Sequence, residues 1–153
     1  MKTVDKIINS PLEMKKFGAA AAKTIPADPK AVRGALVIAL EGELGAGKTQ
    51  FVKGFAAGLG IKQKIASPTF VICRGYEIPN SKTNFKKFFH IDLYRLHSVG
   101  EARAIGINKI LKDPASIIAV EWPKIIGKLM SGNAARLKFS VIGPRRRLVE
   151  TKI

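Results

Sequence analysis

The sequence predicts an α/β fold in which a mixed parallel and antiparallel sheet is flanked by helices. Two short apolar runs of strand formers, Ala35 to Leu40 and Ser116 to Val120, have the composition of strands buried on both faces. Other segments alternate like hairpin strands, which pair antiparallel. A chain of 153 residues is long enough for one such domain and short for two. We therefore expect residues 1–153 to form a single small domain.

The first predicted helix opens with a capping box. Ser10 is placed as the N-cap, Pro11 at the first helical position, and Glu13 three residues after the cap. From this start the helix is expected to extend to about Lys23, before the buried strand that begins at Ala35.

The first buried strand leads into a glycine-rich segment, GELGAGKT, which spans Gly42 to Thr49. It matches the pattern G-x-x-x-x-G-K-[ST] in full, with an additional glycine at Gly45. Glycines allow successive backbone N–H groups to turn toward a phosphate with no side chain in the way. Lys48 supplies a charge for the β and γ phosphates, and the Thr49 hydroxyl can ligate Mg²⁺. The pattern predicts a P-loop; the alternative is a glycine-rich turn without a ligand.

The segment after the P-loop has the pattern of an amphipathic helix. Phe51, Val52, Phe55 and Leu59 share one helical face, and Gly60 suits the C-terminal cap. The N-terminus of this helix adds free N–H groups and a partial positive charge to the phosphate site. A strand before the loop and a helix after it form the context that a P-loop requires. The predicted fold is therefore a small, single-domain P-loop NTPase.

The rest of the chain predicts two hairpins and one more helix. Two strand patterns, Thr69 to Glu77 and Lys86 to Leu96, form the first hairpin, and the second hairpin turns around Gly143-Pro144. Ser98 and Glu101 form a second capping box, which opens a helix through the sequence EARAIGINKILK.

One carboxylate follows the second buried strand directly. Glu121 comes after the run IIAV, which places it at the carboxyl edge of the sheet, where α/β proteins bind ligands. It can ligate Mg²⁺ directly or through water, although most P-loop NTPases have an aspartate at the analogous place. The alternative is a surface glutamate at a strand end.

A second carboxylate, Asp92, lies within the pattern HIDLYRL. Alternation places it on the same face as His90 and Tyr94, and a buried aspartate there needs a cation or a polar network. Near the P-loop it can orient a metal-bound or attacking water. The alternative is a structural ion pair with Arg95 or another arginine. We assign no chemistry to His90, because a lone histidine at such a position is more often a hydrogen-bonded core residue.

The segment SPTF, Ser67 to Phe70, follows the P-loop helix, where many NTPases carry a switch that senses the γ-phosphate. From there Thr69 can reach the nucleotide or its metal. Ser-Pro-Thr also occurs as an ordinary turn, so both interpretations stay open.

The composition is strongly basic and poor in cysteine. Twenty-seven basic and eleven acidic side chains give a formal charge of +16, which favours polyanions such as RNA as partners, although a solubilising surface explains the charge equally well. The single cysteine, Cys73, excludes an internal disulfide. The N-terminus lacks the apolar core of a signal peptide, and no apolar run approaches the ~18 to 20 residues of a membrane span. We therefore expect a cytoplasmic protein with no membrane contact.

Taken in order, the motifs GELGAGKT, SPTF, HIDLYRL, EARAIGI and EWP resemble the bacterial TsaE family. The likeness extends from the helix SPLEMKKFG to the last hairpin, and HIDLYRL with EWP is far more specific than the P-loop. This resemblance implies an ATPase of the tRNA threonylcarbamoyladenosine (t6A) pathway. Such an ATPase works with TsaD-type and TsaB-type subunits, which form the synthase for adenosine 37 of tRNA, and its hydrolysis of ATP resets that synthase. We expect tRNA to join the complex.

The resemblance also implies roles for individual residues. Thr49 and Glu121 hold Mg²⁺, Asp92 supports hydrolysis, and Trp122 lies beside the nucleotide. The phosphates are wrapped by a run of six residues: Leu44, Gly45, Ala46, Gly47, Lys48 and Thr49.

Three other functions are compatible with parts of the sequence. A small-molecule or nucleotide kinase needs an arginine-bearing lid, but the one arginine cluster, Arg145 to Arg147, lies in the late hairpin. A GTPase is disfavoured because NKIL, Asn108 to Leu111, lacks the aspartate of the guanine-reading motif. An RNA-binding module explains the charge but not Lys48, Thr49 and Glu121 together. The kinase is the leading alternative to an ATPase.

Overall fold

The computed structural model describes residues 3–26, 33–68, 70–79, 83–130 and 134–152. Seven strands, four α-helices and one 3₁₀ turn lie within these ranges. In chain order they are β1 (Thr3–Ile8), α1 (Pro11–Ala22), β2 (Leu36–Glu41), α2 (Lys48–Gly58), β3 (Cys73–Glu77), β4 (Lys87–Asp92), α3 (Val99–Ala104), α4 (Ile107–Lys112), β5 (Ser116–Glu121), the 3₁₀ turn (Pro123–Ile126), β6 (Ala135–Val141) and β7 (Arg147–Lys152).

The strands form one mixed sheet in the order β1-β7-β6-β2-β5-β4-β3. The centre is parallel: β2 pairs with β5 and β6, and β4 pairs with β5. Both edges are antiparallel, because β3 pairs with β4 and β7 pairs with β6 and β1. The predicted mixed sheet is therefore confirmed. In its register Glu121 is paired with Leu40 on one side and with Asp92 on the other, so both predicted acids lie at the edge where β2 leads into the P-loop.

Each face of the sheet has its own apolar core. On the face covered by α1 and α2, the buried side chains include Leu40, Phe51, Phe55, Phe88 and Phe139. On the opposite face, α3, α4 and the 3₁₀ turn cover a second cluster that includes Val37, Ile91, Ile107, Ile118 and Val120. Burial on both faces explains why the central strands read as continuous apolar runs in the sequence.

Helices α1 and α2 approach each other closely at two glycines, where no side chain separates their backbones. A Cβ added at Gly18 would overlap the carbonyl oxygen of Phe51, and one added at Gly54 would overlap that of Lys15. This close approach brings the first turn of α1 to the P-loop, where the Met14 side chain lies against Gly47. The position of the P-loop therefore depends on a helix that precedes β2 in the chain.

Both predicted capping boxes are confirmed. The Ser10 hydroxyl accepts a hydrogen bond from the backbone N–H of Glu13 at 3.1 Å, and the Ser98 hydroxyl accepts one from Glu101 at 3.2 Å. In each box the glutamate carboxylate accepts from the residue before the cap, Asn9 at 2.7 Å and His97 at 3.0 Å. The local sequence is thus enough to fix where α1 and α3 begin.

The predictions for three elements were wrong in extent. Strand β3 begins at Cys73 rather than Thr69, because the chain turns at Pro68, whose carbonyl accepts from Ile72 N–H at 2.6 Å. Strand β4 ends at Asp92, after which Leu93 to Leu96 form a turn. The single helix predicted after Ser98 is two short helices, because Gly106 adopts a φ of +85° between them.

Strand β1 is absent from the sequence-based prediction. It is an edge strand with an exposed surface, and residues 4–7 are all exposed while Ile8 is buried. Among residues 4–8, Ile8 alone contributes to the core, so this stretch lacks the alternation that marks a half-buried strand. Within the described parts of the chain, no helix has the length and apolarity needed to cross a lipid bilayer.

Candidate functional site

The loop between β2 and α2 has the backbone of a phosphate-binding turn. Gly45 and Gly47 adopt φ values of +79° and +99°, in the left-handed region that side chains disfavour. Gly47 is also the N-cap of α2, and a Cβ there would lie 2.8 Å from Met14 Cε. The loop therefore needs glycine for its conformation, and at Gly47 for space as well. It ends at the N-terminus of an eleven-residue helix, where free N–H groups favour an anion.

This loop lines a cleft of about 410 Å³. The cleft combines three parts of the chain: the P-loop with the start of α2, the segment after α2, and the carboxyl ends of β4 and β5. Its lining residues are Leu44, Gly45, Ala46, Gly47, Lys48, Thr49, Gln50, Ser67, Asp92 and Glu121. Its size lies within the usual range of small-molecule sites.

Lys48 is buried at the centre of this site, with 5% of its surface exposed. Its ammonium donates a hydrogen bond to the carbonyl of Gly42, lies 3.9 Å from Glu121 Oε2, and sits 4.3 Å from the centre of the Trp122 ring. Desolvation lowers the pKa of Lys48, while the negative charges of Glu121 and Asp92 act in the opposite direction. The Lys48 ammonium is therefore held in the site by a backbone carbonyl, a carboxylate and an aromatic face.

Glu121 has a different partner at each carboxylate oxygen. Its Oε1 lies 2.8 Å from His90 Nε2, and its Oε2 is the oxygen that faces Lys48. His90 is fully buried in the middle of β4, on the same face of the sheet as Asp92. The carboxylate at the end of β5 is therefore fixed by a neighbouring strand.

Asp92 lies beside Glu121 and is fixed by the turn that follows it. Its Oδ1 accepts a hydrogen bond from Tyr94 N–H at 2.9 Å, and its own N–H donates to Ile72 at 2.8 Å. The guanidinium of Arg95, the ion-pair partner that the sequence offered, lies over the Phe70 ring at 4.6 Å. Burial lowers the pKa of Lys48, and the negative charge of Asp92, after that of Glu121, partly offsets this effect. Asp92 and the P-loop lysine therefore interact electrostatically.

Trp122 has a backbone conformation that is uncommon for a bulky residue, with φ +56° and ψ +54°. Its ring packs against that of Tyr94 at 5.1 Å and beneath the ammonium of Lys48. It lines a neighbouring hollow of about 500 Å³ rather than the P-loop cleft itself. Trp122 thus touches the P-loop site through Lys48, which lines the cleft.

The family model for "Threonylcarbamoyl adenosine biosynthesis protein TsaE" matches residues 8–148 of the chain, nearly its whole length. The chain belongs to the TsaE family. It is 40% identical over 111 residues to the tRNA threonylcarbamoyladenosine biosynthesis protein TsaE of Borreliella burgdorferi, covering 72% of this chain and 77% of that one. Against the Rickettsia typhi protein of the same name, the identity is 29% over 149 residues, with 95% and 92% covered.

A solved structure has the same fold. The crystal structure of Bacillus subtilis YdiB superposes with a TM-score of 0.74 and 25% sequence identity, covering 98% of this chain and 84% of that one. The resemblance to the TsaE family that the sequence motifs indicated is therefore confirmed, and so is the predicted α/β fold.

In this TsaE-family chain, most of the predicted site residues come together. Trp122 borders the site through Lys48, and Thr69 lies outside the described residues. The predicted residues that line one cleft are Leu44, Gly45, Ala46, Gly47, Lys48, Thr49, Asp92 and Glu121.

Four residues of the site were missed or given no role. Gln50 and Ser67 line the cleft. Gln50 directly follows the P-loop and Ser67 begins the SPTF motif, so these two motifs could have indicated that both residues belong to the site. His90 holds Glu121, which only the register of β4 and β5 reveals. Arg147 donates from Nε to the carbonyl of Gly45 at 3.2 Å, so the last hairpin is attached to the P-loop. No local pattern connects Arg147 with a loop so far from it in the sequence.

Proposed function

We propose that this TsaE-family chain is an ATP-binding and ATP-hydrolysing subunit required for t6A formation at adenosine 37 of tRNA. The observation that carries the proposal is the convergence of Lys48, Asp92 and Glu121 on one cleft beside a P-loop. The family description and the relatives' names, which refer to threonylcarbamoyladenosine biosynthesis, supply the pathway. On this proposal, residues 1–153 act as one ATPase domain in the cytoplasm.

The residues present fit a nucleotide with a divalent metal. Thr49 and Glu121 supply the hydroxyl and carboxylate oxygens that Mg²⁺ prefers. Among the residues that the structure describes, no three His, Cys, Asp or Glu side chains cluster as a metal site by themselves. A metal held at Thr49 and Glu121 therefore takes further ligands from the nucleotide and water, as is usual for Mg²⁺. When bound, Mg²⁺ neutralises charge on the phosphates.

On this proposal, each group of residues in the cleft has a separate role in hydrolysis. The backbone of Leu44 to Thr49 binds the β and γ phosphates, and Lys48 compensates the charge that develops between them. Asp92 lies beside Glu121 and is held by Tyr94 N–H, so it is placed to orient the attacking water. Thr69 and Trp122 complete the nucleotide contacts in this proposal, from the SPTF segment and from the wall of the site.

Exposed apolar side chains at the rim of the site are evidence for a partner protein that covers it. Large apolar side chains that are normally buried are exposed there: Leu44 (73%), Phe70 (82%), Val71 (50%) and Tyr94 (51%). Exposed apolar side chains grouped around an open cleft are typical of an interaction surface. We assign this surface to the TsaD-type and TsaB-type synthase subunits, which the hydrolysis of ATP resets between turnovers. The basic charge of the chain suits tRNA as a further component of the complex.

Phosphate release should be slow for the isolated chain and faster with both synthase subunits, because a partner that covers the cleft excludes water and completes the site. At low salt, tRNA should strengthen the complex between the chain and the synthase subunits, and at moderate salt this effect should disappear. The measurement is the ATPase rate of the chain alone, with both subunits, and with subunits and tRNA at two salt concentrations. Hydrolysis at full speed by the isolated chain, unchanged by any addition, would contradict the proposal and favour a self-sufficient ATPase or the kinase alternative.

A further inference from the structure

A buried histidine whose sequence pattern indicated no role is hydrogen-bonded to the carboxylate at the centre of the site. His90 has no exposed surface, and its Nε2 lies 2.8 Å from Glu121 Oε1. Its other ring nitrogen, Nδ1, is buried without a hydrogen-bond partner among the residues that the structure describes. A histidine that served only to satisfy the polar groups of the core would be expected to use both nitrogens. The hydrogen bond that the His90 ring makes is to the Glu121 carboxylate.

The register of the sheet explains how His90 reaches Glu121. His90 is paired with Ala119 on β5, and Asp92 is paired with Glu121 two residues further along both strands. These four residues share the face of the sheet that α2 covers. Ala119 carries only a methyl group, which leaves room for the imidazole to extend along β5 to the glutamate. An imidazole N–H at Nε2 is the group that can donate to the Glu121 carboxylate, since an ionised carboxylate only accepts hydrogen bonds.

We propose that His90 is a positioning residue for Glu121. By holding Oε1, it fixes the rotation of the carboxylate, so that Oε2 faces Lys48 at 3.9 Å instead of closing into a tight ion pair with it. Glu121 then stays available to a metal, and the ammonium of Lys48 stays available to phosphate. This inference rests on the proposed function, in which Glu121 holds Mg²⁺. Hydrogen-bond partners of metal ligands commonly have this effect on affinity and activity.

The test uses two amides that place their N–H groups differently. The side-chain amide of His90→Gln can reach the position of Nε2 and donate to Glu121, whereas that of His90→Asn is shorter and ends near the position of Nδ1. His90→Phe keeps the ring shape without a donor. The readouts are the Mg²⁺ affinity of the ADP-bound chain, by calorimetric titration, and the kcat and KM for ATP in the presence of the synthase subunits.

We expect His90→Phe and His90→Asn to weaken Mg²⁺ binding by about tenfold or more and to lower kcat by a similar factor, with KM changed less. His90→Gln should restore both to within a few-fold of wild type. Ser116→Ala is the matched control, because it removes the hydrogen bond of another buried polar side chain, from Ser116 Oγ to Asp113 at 2.6 Å, at the other end of β5. This control should lower the unfolding temperature without changing Mg²⁺ affinity.

The outcomes separate this inference from the function on which it rests. If wild-type chain binds ADP but Mg²⁺ does not bind to that complex, the metal site of the proposed function is wrong. If wild type binds Mg²⁺ and the Phe and Asn variants bind it equally well, His90 does not position Glu121. Failure of folded His90→Gln to exceed His90→Asn also overturns the inference. Should His90→Phe not fold, as its thermal unfolding would show, the Gln and Asn pair decides the question.

Discussion

Lys48→Ala is expected to weaken ATP and ADP binding by roughly 100-fold or more and to abolish measurable turnover. Hydrogen bonds to a charged group contribute about 1.5 to 3 kcal/mol each, and a tenfold change in affinity corresponds to about 1.4 kcal/mol. Loss of the ammonium leaves the phosphates stabilised only by backbone dipoles. Equilibrium titration with nucleotide and a phosphate-release assay measure the two effects.

The burial of Lys48 makes this effect large. Lys48 is already buried in the free chain, with 5% of its surface exposed, and desolvation lowers its pKa there, so the entry of phosphate adds little to the cost of burying the ammonium. Lys53→Ala is the matched control, since Lys53 lies on the same helix but does not line the cleft. It should bind nucleotide like wild type. Wild-type affinity and turnover in Lys48→Ala would show that the P-loop does not bind the nucleotide.

Glu121→Gln and Asp92→Asn should each lower the rate of hydrolysis by on the order of 100-fold or more, with a much smaller change in nucleotide affinity. Both substitutions keep the shape of the side chain and remove its charge. The new glutamine can still accept from His90, so the buried histidine keeps its partner and the fold is preserved. A group that holds a metal or orients water matters most where charge develops in the transition state.

Glu77→Gln is the control for these two variants, because Glu77 is exposed at the end of β3 and away from the cleft. Single-turnover rates with the synthase subunits, alongside nucleotide titrations, separate hydrolysis from binding. If Glu121→Gln and Asp92→Asn both hydrolyse ATP at the wild-type rate, the active site lies elsewhere on the molecule.

The parts of the site that one segment encodes could be predicted from the sequence. The P-loop from Gly42 to Thr49, the capping boxes and the buried strands each depend on residues within about ten positions of one another. Glu121 was identifiable because it directly follows a buried strand. The two-sided burial of β2 and β5 was visible for the same reason, since their apolar runs are continuous.

The parts that depend on strand register could not be predicted. The bond between His90 and Glu121 joins two strands, and a shift of one residue in their pairing would move His90 to the opposite face. The break at Gly106 depends on a left-handed backbone conformation that glycine permits but does not require. Strand β1 contributes little to the core, so its pairing with β7 leaves a weak pattern in the sequence.

The arginine cluster shows how tertiary position changes an interpretation. In the sequence Arg145 to Arg147 form one basic run, but in the structure Arg145 and Arg146 are exposed while Arg147 is half-buried. Arg147 donates to Gly45 at 3.2 Å and to Gly143 at 3.0 Å, so it connects the last hairpin to the P-loop. A charge reversal of the whole run would disturb the nucleotide site as well as any contact with RNA. Arg146 is the better position for testing RNA binding, since Arg145 lines a hollow beside the P-loop.

On the proposed function, ATP turnover at this cleft sustains t6A formation. The most direct measurement is the amount of t6A formed per synthase over many turnovers, with purified TsaD-type and TsaB-type subunits, tRNA, threonylcarbamoyl donor and ATP. We expect continued t6A formation with the wild-type chain, and formation limited to about one equivalent of synthase when the chain is omitted or carries Lys48→Ala. Sustained t6A formation without the chain, or equal formation with Lys48→Ala, would contradict the proposed function.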